Sequence, residues 1–203
     1  WLPPLVSTTV GVGVALLAAV GIGAFRPLGR YSELLLLPFA PWLFVGTGPL
    51  LGSAFSRMAH ADQLGTFFGL VPPTWVAIPV LFVATLLFRG QEARWRAERG
   101  DLARFLVLPV LPMVPLLFGA VWLWQSQDVL WQLAASNPER PTAPAFVPGY
   151  AGYVPGRTGI GLVLPAALLV VFALLAIAAQ LAYLDRVAVR VGRDALPTAP
   201  DLG

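Results

Sequence analysis

The chain has 203 residues, of which 58% are hydrophobic and 11% charged, and its mean hydropathy is +0.77. Soluble domains carry charge on about 25% of their residues, so this composition excludes an ordinary soluble domain and indicates a membrane protein. The net charge is +3, and the chain contains neither lysine nor cysteine. Disulfides, thiolate or lysine nucleophiles and cysteine-based metal sites are therefore excluded. A basic face with interleaved aromatic residues, which would indicate binding to nucleic acid, is missing from the sequence.

Five apolar segments are long enough to cross a bilayer, whose hydrocarbon core requires about 20 helical residues. They cover residues 4–25, 33–55, 64–88, 106–125 and 159–183. The alternation typical of membrane-spanning strands is missing. We therefore expect an all-α fold, a bundle of five transmembrane helices in a single domain, 1–193, followed by a C-terminal tail, 194–203.

Arginine is unevenly distributed among the connecting segments. Ten arginines follow the first, third and fifth apolar segments, whereas three follow the second and fourth. Because arginine is retained on the cytoplasmic side, we expect the N-terminus outside and the C-terminus in the cytoplasm. This topology predicts an inner loop at 89–105 and an outer loop at 127–158.

The predicted outer loop is rich in proline and glycine turn signals, with Phe146, Tyr150 and Tyr153 interleaved. These aromatic residues fit either anchors at the membrane interface or a docking surface for a ligand or partner. His60 and Asp62 offer two potential metal ligands, which are too few for a site. We therefore expect a solvated loop around them and no metal.

Ionisable residues are nearly absent from the five segments, and Glu33 and Asp185 lie only at segment boundaries. Ion- and proton-coupled transporters carry such groups within the membrane, so a pump or redox core is not expected in this chain. We expect no catalytic residues and no cofactor. Any energy for transport then comes from a partner.

Nine prolines interrupt the second, third and fourth segments. Each removes a backbone hydrogen bond and tends to kink a helix, which favours a cavity-lining bundle over a passive anchor. Few polar residues are available to line a path through these segments. The candidates are Thr47, Thr74, Thr85 and Gln125.

The predicted inner loop is the most charged part of the chain. Its helix-forming residues and the spacing of Glu92 and Arg96 favour a short interfacial helix. This helix either satisfies the charge asymmetry alone or docks a cytoplasmic partner. The candidate docking residues are Glu92, Ala93, Arg94, Arg96, Gly100 and Leu102.

Four stretches together resemble the permease subunits of binding-protein-dependent ABC importers of the maltose and sugar type. They are Ser7-Thr8-Thr9 at the start of the first segment, Ala24-Phe25-Arg26 after it, the inner loop from Glu92 to Leu108-Pro109, and Gln180 followed by Asp185-Arg186 at the C-terminal end. In that family an ATPase docks on a Glu-Ala-Ala…Gly pattern followed by Leu-Pro. Here the pattern is degenerate, because Arg94 replaces the second alanine and Gly100 follows later than usual.

The resemblance covers about residues 5–193 and implies a five-span permease subunit that imports a sugar or similar polar solute. It implies three protein partners: a cytoplasmic ATPase, a second permease subunit and an extracytoplasmic solute-binding protein. The implied location is the cytoplasmic membrane of a bacterium.

Two other functions remain open. A non-catalytic scaffold subunit of a larger membrane complex also explains the scarcity of ionisable residues, and it predicts flat apolar faces rich in small residues. In addition, the stretch from Pro72 to Val76 is similar to one in the translocator, or tryptophan-rich sensory, protein family. A receptor of that kind predicts a ligand pocket near Trp75.

Overall fold

A computed structural model describes residues 1–45, 48–98, 101–137, 142, 145–146 and 166–181. Helix accounts for 80% of the structure and no strand occurs among the described residues, which confirms the all-α class. The chain divides into two units, Trp1–Pro165 and Ala166–Gly203. Each unit is described by itself below.

The first helix, α1, spans Leu2–Val20 and continues as a π-helical turn over Gly21–Phe25. Prolines are tolerated in its first turn because those amide groups have no partner within the helix. Leu2–Phe25 is long and apolar enough to cross a membrane, in agreement with the predicted segment 4–25. The helix ends at Arg26, whose backbone is left-handed with φ of 48°.

The second predicted segment, 33–55, is not one straight helix. It contains a 3-10 helix, Gly29–Phe39, and two α-helices, α2 (Trp42–Val45) and α3 (Gly48–His60). The helical stretches on the two sides of the break make an angle of 85°. Proline explains the interruption, since Pro38 and Pro41 lack the amide needed to continue a helix and Pro49 stands at the start of a new one.

The third predicted segment, 64–88, is helical only in its second half. Residues 61–77 form turns and irregular structure, because Pro72 and Pro73 cannot donate backbone hydrogen bonds. Helix α4 then spans Ile78–Glu98. It therefore continues through most of the region predicted as an inner loop.

The fourth predicted segment, 106–125, corresponds to Leu108–Ser126, which is the second stretch long and apolar enough to cross a membrane. Its helical pitch changes several times because of its three prolines. A π-helical turn (Ala103–Val107) leads into this segment. It is followed by α5 (Leu108–Val110), a 3-10 turn (Leu111–Met113) and α6 (Val114–Ser126).

The predicted outer loop begins with a short helix, α7, at Val129–Ala135. Asp128 caps it by accepting a hydrogen bond from the backbone amide of Trp131 at 3.2 Å, the usual role of aspartate at this position. Most of the remaining loop, 138–158, lies outside the described residues.

The second unit contains α8, an apolar helix at Ala166–Ala179, within the predicted segment 159–183. With 14 residues it is shorter than a membrane span requires, and the ends of the predicted segment lie outside the described residues. In the part of the chain that the structure describes, two helices can cross a membrane, or three if the bent pair is one span. The predicted fifth span and the tail stay predictions.

Small residues recur at every fourth position of α1 and of the π-helical turn that continues it, and they form one buried face. They are Ser7, Gly11, Ala15, Ala19 and Gly23. Such spacing lets two helix backbones approach closely. Here the face lies against the start of α4 and the segment before it.

Helices α1 and α4 run in the same direction. Gly11 lies beside Thr74 and Ala77, and its carbonyl accepts the amide of Ala77 at 3.0 Å. Gly23 lies beside Thr85 near the other end. The chain between two parallel neighbours must return along their length, and the bent pair of helices lies in that connection.

Helix α6 runs opposite to α1, because its C-terminal end meets the start of α1. The Trp122 ring packs edge-on against Trp1 with centroids 5.3 Å apart, and its Nε1 donates to the Trp1 carbonyl at 3.2 Å. The bundle of α1, α4 and α6 thus has two distinct ends. Polar uncharged side chains collect at one end and charged side chains at the other.

Candidate functional site

A chain of hydrogen bonds links α1, the segment before α4, and α6; we call it the polar network. Thr8 Oγ1 donates to Gln125 Oε1 at 3.2 Å, and Gln125 Nε2 donates to Thr74 Oγ1 at 2.8 Å. Thr74 Oγ1 lies 2.8 Å from Ser7 Oγ, which donates in turn to the Pro72 carbonyl at 2.8 Å. Every side chain in the network is uncharged and can donate or accept hydrogen bonds.

The network is buried within an otherwise apolar bundle. Thr8, Ser7 and Gln125 are 0%, 1% and 6% exposed, respectively. The Pro72 carbonyl lies outside any helix and accepts two hydrogen bonds, one from the Ser7 hydroxyl and one from the Thr74 amide at 2.8 Å. Gln125 uses one of two amide hydrogens and one acceptor site in these bonds, which leaves a donor and an acceptor on the same side-chain amide.

The structure brings together two of the four predicted lining residues. Thr74 and Gln125 are central to the network, whereas Thr85 is buried on α4 and donates to the Leu81 carbonyl of its own helix at 2.7 Å. Thr47 lies outside the described residues. Ser7 and Thr8 were not predicted as lining, although the four-residue spacing of small residues from Ser7 along α1 indicates a buried face.

A disulfide should form between cysteines placed at Ser7 and Thr74, because their hydroxyl oxygens are 2.8 Å apart and disulfide geometry requires such proximity. Since the chain lacks cysteine, any disulfide reports on the engineered pair, detected by mass spectrometry of the cross-linked peptides from oxidised membranes. Thr9→Cys with Thr74→Cys is the control, since the Thr9 hydroxyl is exposed and bonds to its own helix. Equal yields from the two pairs would contradict the packing described here.

The opposite end of the bundle holds a second cluster, the charged cluster of Arg26, Glu92 and Arg96. Arg26 Nη1 donates to Glu92 Oε2 at 3.0 Å, and Arg96 Nε lies 2.9 Å from Glu92 Oε1. The Glu92 side chain is 12% exposed and that of Arg26 22%. Each carboxylate oxygen therefore has one cationic partner, and the pair from Arg26 joins α1 to α4.

The predicted docking residues other than Glu92 follow it along the chain. Arg96 is exposed on the last turn of α4, and Leu102 packs against the apolar core. Ala93 lies on α4, but its side chain and that of Arg94 are outside the described set, as is Gly100. The expected short interfacial helix is instead the continuous end of α4.

A further ion pair lies at the charged end of the bundle. Arg89 Nη1 contacts Glu33 Oε1, and both side chains are more than 40% exposed. Water screens such a pair, so it contributes little to stability. It differs in this respect from the partly buried pair of Arg26 and Glu92.

The residues that suggested a metal site or a ligand pocket in the sequence belong to neither cluster. His60 ends α3, exposed, with Nδ1 2.6 Å from the Ser56 carbonyl. Among the described residues no group of three metal-ligating side chains occurs. Trp75 is 61% exposed, which does not favour a closed ligand pocket around it.

The two clusters lie at opposite ends of the same helices, one suited to uncharged polar groups and the other joining α1 to a charged helical extension. Known protein families, curated proteins and solved structures offer no match to this chain.

Proposed function

We propose that the chain is the membrane permease subunit of an ABC importer for a sugar or similar uncharged polar solute. The observation that carries this proposal is the position of Glu92. It lies in the stretch that resembles the family's ATPase-docking motif, on a helix that continues without a break from the apolar bundle, and it is bound to the end of α1 through Arg26. A partner that presses on this helix therefore acts directly on the bundle.

The arginine asymmetry supports an orientation in which the charged cluster faces the cytoplasm and the polar network the outside. A cytoplasmic ATPase would then dock along Glu92 to Leu102. Closure of the ATPase would rock the helices between inward- and outward-open states. The uncharged network near the outer end supports a solute without net charge, delivered by an extracytoplasmic binding protein, with a second permease subunit completing the path.

Purification of the chain from its native membrane should recover a nucleotide-binding ATPase. Gly100→Pro should reduce that recovery about tenfold, the equivalent of 1.4 kcal/mol in binding, because proline fixes the backbone and removes an amide within the docking motif. Quantitative mass spectrometry of the purified complex measures the effect. Arg57→Gln, on α3 and outside the docking motif, is the control and should leave recovery unchanged.

The proposal would be contradicted by recovery of a large assembly without an ATPase, in equal amounts from wild type and Gly100→Pro.

One feature of the polar network favours a second candidate function, a scaffold subunit of a larger membrane complex. The side chains of Ser7, Thr8, Thr74 and Gln125 hydrogen-bond to one another, as expected of a network that fixes helices in place. A scaffold of this kind would have neither a moving docking helix nor a solute path.

A further inference from the structure

Three contacts join the end of α1 to α4. Gly23 packs so closely that an added Cβ would lie 2.6 Å from a backbone oxygen of α4. The rings of Phe25 and Trp95 meet edge to face with centroids 5.8 Å apart. Arg26 then binds Glu92 at 3.0 Å. Because the last two contacts reach the charged half of α4, the end of α1 is joined to the proposed docking helix itself.

Arg26 is held in place on both sides of its guanidinium. Its Nε donates to the Gly29 carbonyl at 3.1 Å, and its Nη1 donates to Glu92 Oε2. Its backbone φ of 48° is uncommon for a residue with a side chain and persists where the surroundings impose it. The guanidinium is therefore a fixed link and not a freely moving surface charge.

We propose that Arg26 is a positioning residue that transmits movement of the docking helix to α1 and thereby opens the polar network. This inference rests on the proposed function. A displacement of Glu92 pulls Arg26, which directly follows Phe25, and the chain is helical without a break from Phe25 back to Ser7. Because Gly11 of α1 also accepts the Ala77 amide, movement at the charged end shifts Thr8 and Thr74 together relative to Gln125 on α6, to which both are hydrogen-bonded.

The network is suited to opening under such a displacement. It consists of single hydrogen bonds between uncharged side chains, and hydrogen bonds between membrane helices each contribute little. An incoming solute with hydroxyl groups can replace them, because hydroxyls donate and accept as the network side chains do. The Arg26 link thus connects the energy source to the part of the bundle that meets the solute.

The test uses the complex of the chain with its ATPase in proteoliposomes. Thr74→Cys supplies the only cysteine of the chain and reports opening through its rate of modification by N-ethylmaleimide, with and without ATP and vanadate. We expect nucleotide to raise this rate at least about fivefold, the lower range for coupling between distant sites. Arg26→Gln should abolish the increase while the ATPase stays bound, and Arg26→Lys should retain most of it, because lysine keeps the charge opposite Glu92.

Glu33→Gln is the matched control, since it removes an exposed ion pair at the same end of the bundle, and it should leave the increase intact. A full response in Arg26→Gln would overturn the inference and leave the proposed function standing. Loss of the response in Arg26→Lys to the same extent as in Arg26→Gln, or loss of the ATPase from Arg26→Gln, would also overturn it. If no ATPase accompanies the wild-type chain, both the inference and the proposed function fail.

Discussion

Replacing Gly23 by alanine is expected to push α1 away from α4 and to lower the free energy of unfolding by about 1–3 kcal/mol, as overpacking of a tight contact does. The new Cβ would lie 2.6 Å from the carbonyl oxygen of Thr85 and 3.2 Å from the Cβ of Phe88. The nearer of these atoms belongs to the backbone, so rotation of a side chain cannot relieve the clash. The two helices must separate instead.

Gly21 provides the control for this substitution, because it lies two residues away in the same π-helical turn and an added Cβ there meets nothing within 4 Å. Gly21→Ala should be neutral or stabilise the protein by up to about 1 kcal/mol, since alanine forms helix better than glycine. Unfolding by sodium dodecyl sulfate in mixed micelles compares the variants. Equal stability of Gly23→Ala and Gly21→Ala would contradict the close packing of α1 on α4.

The first and fourth predicted spans follow directly from the sequence because each is an apolar run without charged residues and has the length that a bilayer requires. The second and third are harder to predict. Hydropathy averaged over about 20 residues does not register where a proline interrupts a helix, so the irregular segment before Ile78 was included in a span. Hydropathy averaging also places the end of the predicted third span just before the first arginines of the inner loop, whereas helix α4 continues to Glu98.

The candidate sites, like the spans, can be predicted only in part from the sequence. Thr74 and Gln125 could be selected from the sequence because each is a polar residue within an apolar run. Ser7 also carried a local signal, since it begins the four-residue spacing of small residues on α1. The pairing of Arg26 with Glu92 carried none, because the two residues are 66 positions apart and only the parallel packing of α1 on α4 brings them together.

Replacing Gln125 by leucine is expected to lower the free energy of unfolding by about 1–3 kcal/mol, the cost of leaving a buried polar group without its partner. Thr8, which is 0% exposed, loses the acceptor of its hydroxyl, and Thr74 loses a donor. Gln127→Leu is the control, because the buried Gln127 Nε2 has no hydrogen-bond partner. That substitution should be neutral or stabilising in the same unfolding measurement.

Adding Thr8→Val to Gln125→Leu should recover most of the lost stability, because replacing both partners by apolar groups of similar shape removes the unpaired hydroxyl. A double variant no more stable than Gln125→Leu would contradict the hydrogen bond between Thr8 and Gln125.

The double variant also distinguishes the two proposed functions, an importer permease and a scaffold subunit. If the network only fixes the helices of a scaffold, assembly with partner subunits should recover together with stability. If the amide of Gln125 contacts a solute, solute-dependent ATP hydrolysis by the complex should stay impaired in a protein that folds normally, because no hydrogen-bonding group has been restored.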